Sequence, residues 1–154
     1  MKNLFRKPSA RARGAAAIEL ALVLPILVVV MAPMFLYARY MWHYTVAQKA
    51  AQDAARYMST VSAAEMKSMV LAGYARDIAI QVAKREVAQL APGNTIPDAS
   101  ISCDNHACAV STGEVPATVS VFISFRLRDT FFGMYMGPYG IPIKANVTMP
   151  YVGK

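Results

Sequence analysis

From Ala15 to Ala38 the sequence is apolar almost without a break, and Glu19 is the only charge in those 24 residues. At 1.5 Å per residue, a helix of this length covers about 36 Å, enough to cross a hydrocarbon core of about 30 Å with some tilt. The run closes on Phe35, Tyr37, Arg39, Tyr40, Trp42, His43 and Tyr44. Rings with polar tips mixed with cations suit the membrane–water interface, so this cluster reads as an interfacial belt. Pro25 and Pro33 each remove a backbone hydrogen bond and predict a bend, which membrane helices tolerate. A cleavable secretory signal fits less well. Its apolar core would be shorter, and no Ala-Xaa-Ala site follows this run.

Beyond the belt the period is helical. Val46 to Leu90 predicts helix in two pieces, the first carrying Ala47, Ala50, Ala51, Ala54, Tyr57 and Met58 at three- and four-residue spacing. Small residues in that pattern let another element approach closely. Ser62-Ala63-Ala64-Glu65 has the form of a capping box, with Val61 and Met66 placed as a hydrophobic staple, so a second helix is expected near Ala63. Met66, Val70, Tyr74, Ile78 and Val82 give it an apolar face, and Pro92-Gly93-Asn94 stops it.

The period then drops to two. Val119, Val121, Ile123, Phe125 and Leu127 alternate with Ser120, Phe122, Ser124, Arg126 and Arg128; Ile141 to Met149 alternate likewise. Both stretches predict strands with one buried face, and Pro142 and Lys144 suit an edge. Weaker strands flank the cysteines, near 99–103 and 107–111. The glycine-rich Gly133 to Gly140 connects the two strong strands and carries Met and Tyr residues that fit either the core or a contact surface. The fold class expected is α+β: an N-terminal transmembrane helix running into exported helices packed on a small antiparallel sheet. Its parts are a basic leader (1–14), a span with its belt (15–42) and an exported domain (43–154).

Charge sharpens this picture. The formal net charge is +7, and Lys2, Arg6, Lys7, Arg11 and Arg13 put +5 of it before Ala15, in a stretch without an acid. Directly before an apolar run, such a tail reads as a cytoplasmic membrane flank and not as a nucleic-acid arm. The domain after the span is then exported, and Cys103 and Cys108, the only cysteines, meet an oxidising compartment. A turn between them brings them within disulfide range. The competing use is a metal site of Cys103, His106 and Cys108 with Asp104, which lacks a second ligand pair. No phosphate loop, nucleophile elbow or paired carboxylates appear, so no enzyme and no cofactor are expected.

Arg11-Ala12-Arg13-Gly14 followed by Ala15-Ala16-Ala17-Ile18-Glu19 has the form of a type IV prepilin start: basic leader, glycine at the cut, apolar helix, glutamate five residues in. Cutting between Gly14 and Ala15 removes every leader cation and creates an amine on Ala15. Glu19 lies four residues on, along the same helix face. Residues Arg13 to Leu27 closely resemble the N-terminal motif of TadE-like pseudopilins of tight-adherence pilus systems, and Ala47 to Tyr57 is similar to the Ala-rich segment that follows the span in that family. The resemblance implies a minor pilin-like subunit of the bacterial inner membrane, its C-terminal domain periplasmic or carried into an extracellular pilus. It implies cleavage after Gly14 by a prepilin peptidase and work with other pilins, a secretion ATPase and platform proteins, with Glu19 serving assembly. The alternative is an uncleaved bitopic adaptor whose periplasmic domain holds a partner.

Overall fold

The computed structural model describes residues 10–90, 96–108, 114–128 and 139–154, with side chains described from residue 14 onward. The leader's first nine residues, the stretch 91–95, most of the weaker strand expected near 107–111 and most of the Gly133–Gly140 connection lie outside them. Two compact units divide between Ala38 and Arg39.

The first unit holds the start of α1, which spans Ala10–Thr60 and runs through Pro25 and Pro33 without interruption. Its large side chains from Ile18 to Phe35, Leu22, Ile26 and Met34 among them, stand exposed. By length and composition, α1 is apolar enough to cross a membrane. A helix that offers apolar side chains in every direction has no stable place in water, and lipid is its natural solvent.

The second unit, residues 39–154, is α+β. After α1 come α2 (Ala63–Lys67) and α3 (Met69–Ala88), then β1 (Asp98–Cys103), β2 (His106–Ala107), β3 (Thr118–Leu127) and β4 (Ile141–Pro150). The four strands form one antiparallel sheet in the order β2-β1-β3-β4, which leaves the proline-bearing β4 at an edge as expected. Val119, Val121, Ile123, Phe125 and Leu127 all point into the core, with Ile143 and Ala145 of β4 and Ala99, Ile101 and Cys103 of β1 beside them.

The helices meet this bulk with small residues. The face of α1 that enters the core consists of Ala47, Ala50, Ala51, Ala54, Ala55 and Met58, all without solvent exposure. On α3 it consists of Ala72, Ala75, Ala79, Ala83 and Val87. Alanine opposite Val, Ile, Phe and Leu fills the layer at normal interior density only when the helix axis lies close to the sheet. Glu86 of α3 is near enough to Asp53 and Lys49 of α1 to feel their charges. Burial and Asp53 together raise the Glu86 carboxyl above its ordinary value, and Lys49 offsets part of that.

Three expectations need correction. The second helix comes in two pieces, α2 and α3. The capping box forms as read, with the Ser62 hydroxyl accepting from the Glu65 N–H and the Glu65 carboxylate accepting from the Ser62 N–H. Ser68 then takes an extended backbone; its N–H closes α2 on the Glu65 carbonyl and its own carbonyl starts α3 by accepting from Ala72. The expected apolar face of α3 is also outward. Met66 is buried, but Val70, Tyr74, Ile78 and Val82 are exposed, and the alanines face in. Finally, only part of the aromatic belt is open. Phe35, Tyr37 and Trp42 are exposed, whereas His43 is buried and Tyr40 and Tyr44 pack on the domain core.

The C-terminal residues hold the α1–α2 junction. The Val152 N–H donates to the Ser59 carbonyl, the Tyr151 hydroxyl to the Val61 carbonyl at 2.6 Å, and the Ala63 N–H to the Lys154 carbonyl. A Cβ on Gly153 would run into the Val61 carbonyl and the Tyr151 ring, so glycine is required there by space.

Candidate functional site

The residues singled out in the sequence fall in two places. Gly14, Ala15 and Glu19 lie on the N-terminal part of α1, all exposed. A Cβ at Gly14 would meet nothing within 4 Å, so no packing requires glycine at this position. Ala15 and Glu19, four apart in a continuous helix, share a face with their Cβ atoms about 6 Å apart. A carboxylate at the centre of such a span costs about 3 kcal/mol on insertion scales and less toward its end, where Glu19 stands, and a cation that comes to it relieves the penalty.

The second place is the β1–β2 hairpin. Asp104 and Asn105 form its two-residue turn, both in the left-handed region at φ 48° and 66°. This is the pair of conformations a type I′ turn needs, and Asp and Asn accept it more readily than most residues. The turn sets Cys103 opposite His106 and brings Cys103 and Cys108 to a Cα separation of 4.8 Å, where they are joined as a disulfide.

Asp104 has a separate task. Its carboxylate accepts from the Ala117 N–H, the Thr118 N–H and the Thr118 hydroxyl, each at 2.8 Å, while its own N–H donates to the Thr118 carbonyl. It therefore ties the hairpin to the start of β3. The metal alternative does not assemble: both thiols are spent in the disulfide, and the Asp104 oxygens are turned to 117–118. Among the described residues no group of three or more His, Cys, Asp and Glu side chains converges.

The bond to the Ala117 N–H, followed by those to the Thr118 hydroxyl and N–H, holds the Asp104 carboxyl below the ordinary aspartate value of 3.8. A depressed carboxyl contributes stability that is present above its unfolded value and disappears as pH falls through its folded value. Asp104→Asn is therefore expected to lower the melting temperature at pH 7. The gap to wild type should begin to narrow as pH drops below about 4 and close only once pH has fallen through the depressed folded value, below which both side chains are neutral. Thermal melts at pH 7, 4 and 2.5 check this, and a gap that stays constant would remove the carboxylate charge from the account.

His43 was read as part of the belt, but it is buried in the domain. Its Nδ1 lies 2.8 Å from the Arg39 carbonyl, so that nitrogen carries the proton, and Nε2 has no hydrogen-bond partner among the described residues. Tyr40 and Tyr44 stack beside it with ring centroids 6.4 Å apart. The sequence signal was available: positions 40, 43, 44, 47, 50, 51 and 54 form one unbroken helical stripe, so the domain's inner face begins inside the belt.

Residues 14–56 match the family model described as TadE-like protein. The match begins at Gly14 and covers the apolar run, the belt and the alanine-rich face of α1. No curated protein and no solved structure matches the chain.

Proposed function

We propose that this chain is a minor pilin-like subunit of a tight-adherence pilus system, cut after Gly14 and assembled through Glu19. The observation that carries this reading is where the TadE-like match begins: at a glycine preceded by five cations and followed, five residues on, by the single charge of an apolar helix. The family supports a pilus-associated structural protein, and the apolar helix supports a membrane anchor. Five cations before the span set the N-terminus in the cytoplasm and the disulfide-bonded domain on the periplasmic side.

The chemistry is coherent. Before cutting, the leader cations hold the N-terminus at the anionic cytoplasmic surface. After cutting, the Ala15 amine is the only charge left ahead of Glu19, and the helix can leave the membrane for a packed filament. There the carboxylate of one subunit neutralises the amine of the next, which offsets the desolvation of both. In this reading the domain has no catalytic role, and its partners are the prepilin peptidase, other pilins and the assembly machinery.

Intact mass tests the first step. Co-expressed with its prepilin peptidase, the membrane-extracted chain is expected to lose the mass of residues 1–14. Gly14→Ala should abolish the loss while leaving the fold intact, because the added Cβ touches nothing. Full-length mass in the presence of active peptidase would favour the uncleaved adaptor instead.

A further inference from the structure

One helix of the exported unit is apolar on two sides. The alanine side of α3 is inside the domain; the other carries Val70 (65% exposed), Tyr74 (65%), Ile78 (49%), Leu71 (47%) and Val82 (38%). At 100° per residue these five fall within an arc of about 120°, so they form one stripe along more than three turns. Together they leave on the order of 500 Å² of apolar surface in water, near the upper limit of the single largest patch on an ordinary monomer. A helix apolar on both sides is usually covered on both sides.

We infer that this stripe is the contact surface for a second copy of the same chain. Its area is the first reason. Two such faces, with the stems of Gln81 and Arg85 at the end of the stripe, bury about 1,200 Å² in total, which reaches the lower limit of standard specific interfaces. Its borders are the second. Asp77, paired with Arg76, and Lys84 flank one side and Glu86 the other, so the rim carries both signs, whereas a helix lying on anionic lipid carries a run of cations there. The third reason rests on reading α1 as a membrane anchor. Two copies held in one bilayer meet at a raised effective concentration, so an interface of modest size suffices.

The native cysteines are both bonded, so an added cysteine is the only free thiol. Full-length Ile78→Cys in isolated membranes, oxidised with copper–phenanthroline, is expected to give mainly a crosslinked species of twice the chain's mass. Gln52→Cys, exposed on α1, should stay monomeric under the same treatment. Adding Tyr74→Glu to Ile78→Cys should lower the crosslinked fraction at least tenfold, and unchanged far- and near-UV circular dichroism shows that the fold survives. A crosslinked fraction no higher than that of Gln52→Cys overturns the inference. So does a crosslink to a different chain, or a label at position 78 quenched by lipid. Alkaline carbonate extraction separates the two readings. A chain that stays in the membrane but does not crosslink defeats only the self-contact, whereas a chain that is extracted defeats the anchor.

Discussion

Ile123→Ala is expected to destabilise the α+β unit by about 4 kcal/mol, toward the upper end of the range for buried Ile-to-Ala changes. Ile123 has no solvent exposure and sits in the middle of β3. Its register partners on both sides of the sheet are alanines, Ala99 on β1 and Ala145 on β4. The helical faces in the same core are also largely alanine. The two cross-strand alanines cannot swing into the space left behind, so much of the cavity persists and its cost is felt. For a unit of this size the loss corresponds to about 15 °C in melting temperature, read by near-UV circular dichroism of the detergent-solubilised chain. Phe122→Ala removes a larger side chain from the neighbouring position, but that ring is 37% exposed on the opposite face of the sheet. Its cost is expected to be about 1 kcal/mol. Equal losses at the two positions would mean that the outer face of the sheet is as covered as the inner one.

The same complementarity decides what could be read before any coordinates. Strict alternation in β3 placed five large residues on one face, and a period of two admits only one assignment of faces once Ser and Arg occupy the other. The capping box and the edge character of β4 are local chemistry and were equally legible. The orientation of α3 was not, because both of its faces are apolar by composition. A periodicity argument selects the face with larger side chains, yet space beside a sheet already carrying Val, Ile, Phe and Leu favours alanine. The break at Ser68 also escaped, since Met66, Val70 and Tyr74 continue a helical spacing across it. Asp104 was weighed as a ligand because its partners, Ala117 and Thr118, lie thirteen and fourteen residues away, beyond the reach of a spacing argument. The reading of the N-terminus stands apart from these: it rests on charge, length and a motif, none of which needs tertiary context.

Glu19→Gln is expected to leave the chain inserted and cut, and to reduce its recovery in assembled filaments about a hundredfold or more. The size follows from which partner is removed. Two opposite charges brought together out of water are close to neutral in energy, but one left without the other costs about 3–5 kcal/mol, a factor of roughly 100 to 4,000 in association. Glutamine keeps the length and hydrogen-bonding capacity of the side chain and removes only its charge, so the unpaired Ala15 amine carries the penalty. Anchoring should move the other way. Exchanging the carboxylate for a neutral amide makes insertion no harder, and the membrane-bound pool should hold or grow. Quantitative mass spectrometry of the sheared pilus fraction against the membrane fraction, with the processed N-terminal peptide as the marker, reads both quantities in one sample. Loss from the filament with a preserved, processed membrane pool assigns Glu19 to assembly. Equal recovery of the processed variant and wild type in the pilus fraction would reduce Glu19 to an interfacial charge and take it out of the assembly step.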